Sequence, residues 1–255
     1  MPTPDWQIAT VNSQTSRVAA RLRESLVRGE FAAGERLAEL PLVARLGVSR
    51  TPIRLALERL AHDGLLIFSA HRGFSVRGYS PAEALDAIEV RGVLEGTAAR
   101  LASERLSDTA ELTPLRRLCA RMDAIEELTP ESAPRFLELN GPFHDAIVDL
   151  AKNAALRHAY RHAVSLPFAA PNAVEFPRSA IRYASEMFAM AKAHHRGLID
   201  AITMRQGTRA ENLAREHARL AAGVLTSTLA DRDALSALPG GALIKAAVQR
   251  PTRTP

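Results

Sequence analysis

The feature that most constrains the fold is a long succession of helical segments that begins at Pro81. These segments are rich in Ala and Leu, contain few runs of β-branched residues, and are separated by proline-containing stretches. Their apolar residues follow helical spacing over about 81–105, 108–128, 131–151, 153–166, 179–204 and 207–231. Long helices joined by short connections are typical of antiparallel bundles. The sequence therefore predicts an all-α helical domain over residues 79–233.

The first 80 residues have a different organisation. Apolar spacing predicts a helix over 15–28, a short helix over about 40–46, and a third helix that begins after Ser49 and ends at Gly64. Two short β-like runs follow on either side of the turn at 69–73, which predicts a hairpin. Three helices and a hairpin in this order are typical of a winged helix-turn-helix. The predicted fold class is therefore mainly α, with a winged helix-turn-helix over 14–78 followed by an antiparallel all-α helical bundle.

Neither end of the chain shows clear periodicity. Residues 1–13 contain two prolines, and residues 234–255 contain a Pro-Gly-Gly sequence and end in Pro, Thr and Arg. We therefore expect a flexible arm over 1–13 and a flexible tail over 234–255.

The composition excludes several classes of protein. No apolar run approaches the roughly 18–20 residues that a membrane-spanning helix needs, and the N-terminus lacks the basic-then-apolar pattern of a signal peptide. Cys119 is the only cysteine, so the chain cannot form an internal disulfide. With 47% apolar and 24% charged residues, the sequence is that of a globular protein. We expect it in the reducing cytoplasm, without a membrane partner.

Positive charge is concentrated in the first third of the chain. Residues 1–80 carry eleven arginines, no lysine and seven acidic residues, a balance of +4. Residues 81–233 carry nineteen basic and twenty-one acidic side chains, a balance of −2. This asymmetry favours a polyanion as the partner of the N-terminal domain, although a solvated Arg-rich surface would have the same composition.

The start of the third predicted helix carries the residues expected to contact DNA. The exposed N–H groups of a helix N-terminus bind phosphates, and Arg50 or Arg54 could bind a guanine edge through two hydrogen bonds. Gly47 permits the tight turn between the two helices. The alternative is a winged helix that contacts only proteins.

The run from Gly47 to Arg54, followed by Ala56-Leu57, Arg59-Leu60 and Asp63-Gly64-Leu65, resembles the GntR family of bacterial transcription regulators. The resemblance covers about residues 15–78 and implies that a wing tip reaches toward the minor groove. Together, the motif and the resemblance give the predicted DNA-binding set: Ser49, Arg50, Thr51, Arg54, Arg45, Arg72 and Gly73. Leu55 departs from the family, whose members commonly have Glu there, and Leu40-Pro41 replaces a position that is frequently polar or basic. These departures indicate either an altered sequence preference or a lost local contact, and not a loss of DNA binding.

Three histidines are predicted to point into the helical domain. His144 shares an apolar helix face with Asn140 one turn earlier, and His195 and His217 each lie among apolar residues on separate helices. Burying three imidazoles without a shared partner is costly. Imidazole suits Zn, Ni, Co or similar ions, so the pattern favours a metal site over a metal-free polar pocket. His194 points about 100° away from His195 and is a poorer candidate.

The histidine pattern resembles the FCD domain, the helical effector domain of the FadR-like branch of the GntR family. The resemblance implies a divalent ion (Zn, Ni, Co or Mn) bound by Asn140, His144, His195 and His217. Asn140 departs from the Asp often found in that family, and a neutral amide oxygen binds a cation more weakly.

Arg91 lies among apolar residues of its predicted helix, so we expect its guanidinium to point inward. It could anchor a carboxylate effector, which suits bidentate hydrogen bonding. The alternative is an ion pair with Glu95 one turn later.

The sequence thus predicts a cytoplasmic, homodimeric transcription regulator, and we expect a repressor rather than an activator. It would bind double-stranded operator DNA and respond to a small organic acid, and it would not be an enzyme. One alternative is a metal-dependent hydrolase, with Glu186 or Asp145 as general base. Another is a dedicated metal sensor.

Overall fold

The computed structural model describes residues 5–166, 168–173 and 181–245, and it divides them into two compact units. The winged unit comprises the described residues up to Pro81 together with those from Pro239 onward. The helical unit comprises the described residues of Ala82–Leu238. No helix in these described ranges is long and apolar enough to cross a membrane.

Three helices form the body of the winged unit: α1 (Asp5–Val27), α2 (Glu39–Leu46) and α3 (Arg50–His62). Helix α1 packs against α3, and the predicted apolar face of α1 is buried, with Leu22 and Leu26 at its centre. Gly47 has a φ of 66°, which lets the chain leave α2 and enter α3 within a few residues. Ser49 occupies the N-cap position of α3, although its side chain makes no capping hydrogen bond.

The wing is a three-stranded antiparallel sheet. Its strands are β1 (Arg36–Leu37), β2 (Leu66–Ser69) and β3 (Gly73–Val76), in the order β1-β3-β2. The hairpin of β2 and β3 pairs Leu66 with Val76 and Ser69 with Gly73. The sequence did not predict β1, because a two-residue strand leaves no periodicity to detect.

Six long helices and one short one, α4 to α10, make up the described part of the helical unit. A 3₁₀ turn at Thr109–Leu112 precedes α5, so the single helix expected over 108–128 is divided. The helices are α4 (Pro81–Arg105), α5 (Thr113–Asp123), α6 (Ala133–Leu150), α7 (Ala154–Ala163), α8 (Ile181–Thr203), α9 (Gly207–Ala230) and α10 (Arg232–Ala237). The predicted fold class, a winged helix-turn-helix followed by a helical domain, is confirmed.

Helices α4 and α9 approach each other closely at two glycines. A Cβ added at Gly92 would lie 2.8 Å from the Cβ of Ala218, and one added at Gly96 would lie 3.0 Å from the carbonyl oxygen of Glu211. Real Cβ atoms do not tolerate the first distance without movement. The two glycines therefore allow the backbone of α4 to lie against α9. Arg91 and Glu95, each of which immediately precedes one of these glycines, are buried.

The expected flexible termini need correction. Helix α1 begins at Asp5, inside the arm expected over 1–13; residues 1–4 lie outside the described residues. Part of the expected tail, 234–245, is folded: it completes α10, forms a 3₁₀ turn at Gly241–Leu243, and buries Leu243 and Ile244. Residues 246–255 lie outside the described residues.

Hydrogen bonds hold the returning segment 239–245 within the winged unit. The N–H of Gly240 donates to the carbonyl of Val27 at 2.8 Å, and the N–H of Tyr79 donates to the carbonyl of Leu243 at 2.8 Å. The N–H of Lys245 donates to the carbonyl of Tyr79 at 2.7 Å. The sequence did not reveal this return, because it depends on contacts between distant parts of the chain.

Candidate functional site

The residues predicted to contact DNA lie at the surface of the winged unit. Six of them are exposed, and Gly73, with a φ of 71°, forms the turn that begins β3. The exposed residues are Ser49, Arg50, Thr51, Arg54, Arg45 and Arg72. Burial of Ile53, Ala56, Leu57 and Leu60 fixes which side of α3 faces outward.

The exposed arginines of the helix-turn-helix form ion pairs with neighbouring acids. Arg50 donates from Nε to Glu39 at 3.0 Å, and Arg54 donates from Nε to Glu58 at 3.1 Å. Arg45 pairs with Glu30. Exposed pairs of this kind contribute only about 0–1 kcal/mol. The guanidinium groups can therefore exchange a carboxylate for a phosphate or a base edge at little cost.

Three buried histidines from three helices meet inside the helical unit. His144 on α6, His195 on α8 and His217 on α9 are all less than a tenth exposed. One ring nitrogen of each lies within 4.8 Å of the corresponding nitrogens of the other two. The Nε2 atoms of His195 and His217 are 3.3 Å apart. This is close to the separation expected for two nitrogens bound about 2.0–2.1 Å from a tetrahedral zinc ion.

The protonation states of His195 and His217 suit a cation. Burial and neighbouring histidines lower the pKa of His195 and of His217 well below the ordinary value of 6.5. Both rings are therefore neutral at neutral pH and present a lone pair, as metal ligation requires.

Glu95 fixes the orientation of the third ring. Its Oε1 lies 3.2 Å from Nδ1 of His144, and both side chains are 3% exposed. Burial alone would raise the pKa of Glu95, but the neighbouring His144 and Arg91 hold it below the ordinary value, so the group is a carboxylate. A carboxylate can only accept, so its position beside Nδ1 of His144 favours the tautomer with the proton on Nδ1, and the Nε2 of His144 is buried without a hydrogen-bond partner. Carboxylate-bound histidines of this kind are common ligands of protein-bound metals.

Asn140 points a free acceptor into the same region. Its amide nitrogen donates to the carbonyl of Pro171 at 2.7 Å, which leaves Oδ1 buried without a hydrogen-bond partner. The residues present thus fit a divalent ion: they offer buried imidazole nitrogens and a buried amide oxygen, and the Nε2 atoms of His195 and His217 contact only each other. Asn140, His144, His195 and His217 are the residues that would hold it.

Arg91 is buried, paired with Glu95, and part of a cavity wall. It is 2% exposed, its Nε lies 3.6 Å from Oε1 of Glu95, and its guanidinium donates to the carbonyl of Ala169 at 3.1 Å. It also lines a cavity of about 50 Å³ beside His144 and His217. The ion pair with Glu95 is therefore present, and one side of Arg91 still faces the space in which a ligand would lie.

The remaining cavity wall is largely apolar, and Asn140 is its other polar member. A volume of this size holds a few water molecules. It would accept a metal ion with its waters, or a carboxylate of a few heavy atoms.

Two features of this site were missed from the sequence. Glu95 was considered only as a partner of Arg91, although it also binds His144 across helices. The segment 168–173 was taken only as an interruption between helices, yet the carbonyls of Ala169 and Pro171 fix Arg91 and Asn140. Neither contact leaves a signal in helical periodicity.

The two acids that the sequence offered as a general base, Glu186 and Asp145, are both exposed.

Two family models match the chain. The model of bacterial regulatory proteins of the gntR family matches residues 14–76, and the model of the FCD domain matches residues 86–220. The second match alone covers more than half of the chain. The chain belongs to the gntR family of regulators that carry an FCD domain.

The curated relatives of this family member are transcription regulators. The Nta operon transcriptional regulator of Aminobacter aminovorans is 39% identical over 131 residues, which are 51% of this chain and 60% of the relative. The HTH-type transcriptional repressor RspR of Escherichia coli is 30% identical over 141 residues, which are 55% and 59% of the two chains. The chain spans about three fifths of the length of the first curated relatives that it matches.

A solved structure has the same fold. McbR/YncC of E. coli superimposes with a TM-score of 0.61 at 21% sequence identity, covering 84% of this chain and 97% of the other. At this identity the superposition shows that the two chains share a fold.

Proposed function

We propose that the chain is a homodimeric, cytoplasmic repressor whose affinity for a two-fold DNA operator is set by a small organic acid bound in the helical unit beside a divalent metal ion. Membership of the family supports DNA binding by the winged unit. The observation that carries the more specific proposal is the meeting of three buried histidines, two of which, His144 and His217, line one cavity.

The metal ion would supply positive charge for an anionic ligand. His195 and His217 contribute neutral Nε2 lone pairs, and Glu95 keeps the Nε2 of His144 available. Arg91 adds a second positive charge at the cavity wall, where planar guanidinium geometry suits a carboxylate. A ligand can shift operator affinity only if it binds more tightly to one of the DNA-competent and DNA-incompetent arrangements.

The hydrolase alternative loses support from the position of the acids. A general base must reach a metal-bound water, but Glu186 and Asp145 are exposed, and Glu95 is engaged by His144 and Arg91. An assay of the metal-loaded chain against ester, amide and phosphoester panels tests this alternative. Turnover abolished by His195→Ala would favour the enzyme.

DNA binding is tested by fluorescence anisotropy with duplexes that the protein itself selects from a random-sequence pool. Arg50→Ala and Arg54→Ala should each weaken binding by about 1–3 kcal/mol, and Arg72→Ala should reduce the salt dependence of binding. Arg219→Ala, an exposed arginine of α9, removes the same charge outside the winged unit and is the matched control. Wild-type affinity in both α3 variants would contradict the assignment of the recognition helix.

Metal binding is tested by elemental analysis of untagged protein supplied with Zn, Ni, Co and Mn. We expect one ion per chain, lost in His195→Ala and retained in His158→Ala, whose histidine is exposed on α7. Asn140→Asp should tighten binding, because the ion gains a formal counter-charge in a buried site. Equal metal content in wild type and His195→Ala, or none in either, would leave the cluster as a polar effector pocket only.

A further inference from the structure

The outward face of α3 carries one apolar side chain among its polar ones. Leu55 is 39% exposed, whereas the apolar residues of the opposite face, such as Ile53 and Leu57, are fully buried. A single exposed leucine needs no explanation by itself. The position of Leu55 relative to the arginines of the same helix is the informative observation.

The geometry of α3 puts Leu55 where base edges would lie. A helix turns by about 100° per residue, so the direction opposite the buried face falls close to Thr51. Arg54 and Leu55 lie on either side of that direction, each about 50° from it. With a rise of about 1.5 Å per residue, Leu55 is only about 7.5 Å along the axis from Arg50. All four residues therefore belong to the first two turns, the part of a recognition helix that enters the major groove.

The chemistry of Leu55 selects one feature of that groove. Its side chain has no hydrogen-bonding group and cannot satisfy the donors or acceptors of guanine, cytosine or adenine edges. The thymine 5-methyl group is the apolar feature of the major groove, and apolar side chains recognise it by contact. We propose that Leu55 reads the 5-methyl group of a thymine in the operator, next to the base pair contacted by Arg54. This inference rests on the proposed DNA-binding function of the winged unit.

The test removes the methyl group from the DNA and the leucine from the protein in turn. Duplexes selected by the full chain from a random-sequence pool are resynthesised with deoxyuridine in place of each thymine, which deletes only the 5-methyl group. Dissociation constants are measured by anisotropy for wild type, Leu55→Ala and Val93→Ala. Val93 is a matched control, because it is an apolar residue of similar exposure (42%) on α4 of the helical unit rather than in the winged unit.

We expect one thymine of each half-site at which the uracil substitution weakens wild-type binding about three- to five-fold, the size expected for one buried methyl group. The same substitution should leave Leu55→Ala almost unaffected, whereas Val93→Ala should retain the wild-type loss. Ala is a good helix former, so Leu55→Ala should leave α3 intact.

Two results would overturn the inference while DNA binding stands. Either no uracil substitution weakens wild-type binding by more than two-fold, or the losses are the same in Leu55→Ala. Failure of the wild-type chain to enrich any sequence from the pool would overturn the proposed function, and this inference with it.

Discussion

The buried ion pair between Arg91 and Glu95 offers a direct test of how the histidine site is held together. Replacing Glu95 by Gln removes the negative charge but keeps the shape of the side chain and an acceptor for Nδ1 of His144. The substitution therefore leaves the guanidinium of Arg91, which is 2% exposed, without a counter-charge. Its hydrogen bond to the carbonyl of Ala169 remains.

The magnitude follows from the separation of the two groups. At 3.6 Å and an effective dielectric constant near 20, two unit charges attract by about 4–5 kcal/mol. Removal of one member of a buried pair costs about 3–5 kcal/mol in proteins where it has been measured. Because Gln retains the contact with His144, we expect Glu95→Gln to lower the free energy of unfolding by about 3 kcal/mol.

The assay is equilibrium unfolding in urea, followed by circular dichroism with chelator present so that metal binding does not contribute. The double variant Arg91→Met/Glu95→Gln should regain most of the loss, since it buries no unpaired charge. Glu104→Gln, which breaks the exposed pair with Arg100, should change stability by less than about 1 kcal/mol. A loss below about 1 kcal/mol in Glu95→Gln, or a double variant less stable than the single one, would refute this reasoning.

Further predictions concern other parts of the molecule. Gly92→Ala should destabilise the helical unit by about 1–3 kcal/mol in urea unfolding, because its Cβ would lie 2.8 Å from that of Ala218; an unchanged midpoint would contradict the close approach of α4 and α9. Hydrogen bonds from Lys152 and Ser107 lower the pKa of Glu111 to about 2, so its stabilisation is complete above pH 4.5 and is lost as the pH falls toward 2. The stability difference between wild type and Glu111→Gln should shrink over that range, and a constant difference would exclude this cause. Leu243→Ala, at a fully buried position, should speed hydrogen exchange in α1 and destabilise the winged unit by about 2–5 kcal/mol; unchanged exchange would show that the returning segment does not support it.

Helical periodicity was sufficient to predict most of the fold. The inward orientation of His144, His195 and His217 followed from the apolar residues around each of them, because a helix face is buried or exposed as a whole. The burial of Leu22 and Leu26 on α1 followed in the same way. These features depend only on residues that are close in sequence.

Contacts between distant segments were not predictable in this way. The return of Leu243 and Ile244 to the winged unit depends on hydrogen bonds to Tyr79, more than 160 positions earlier. Glu95 has the same i, i+4 spacing from Arg91 as many surface pairs, and nothing in the spacing shows that its second partner is His144. The Pro and Gly residues of the tail therefore suggested flexibility, although Leu243 and Ile244 in that tail are buried within the winged unit.

The claim that the histidine site regulates DNA binding is tested most directly by thermodynamic linkage. Operator dissociation constants of the full chain are measured with metal-free protein, with metal, and with metal plus each member of a panel of small organic acids, for wild type and His195→Ala. The account predicts that at least one condition changes wild-type operator affinity about 5- to 150-fold, that operator DNA changes the affinity for that ligand by the same factor, and that His195→Ala abolishes both effects. Operator affinity that stays constant under every condition, or that shifts equally in His195→Ala, would contradict it.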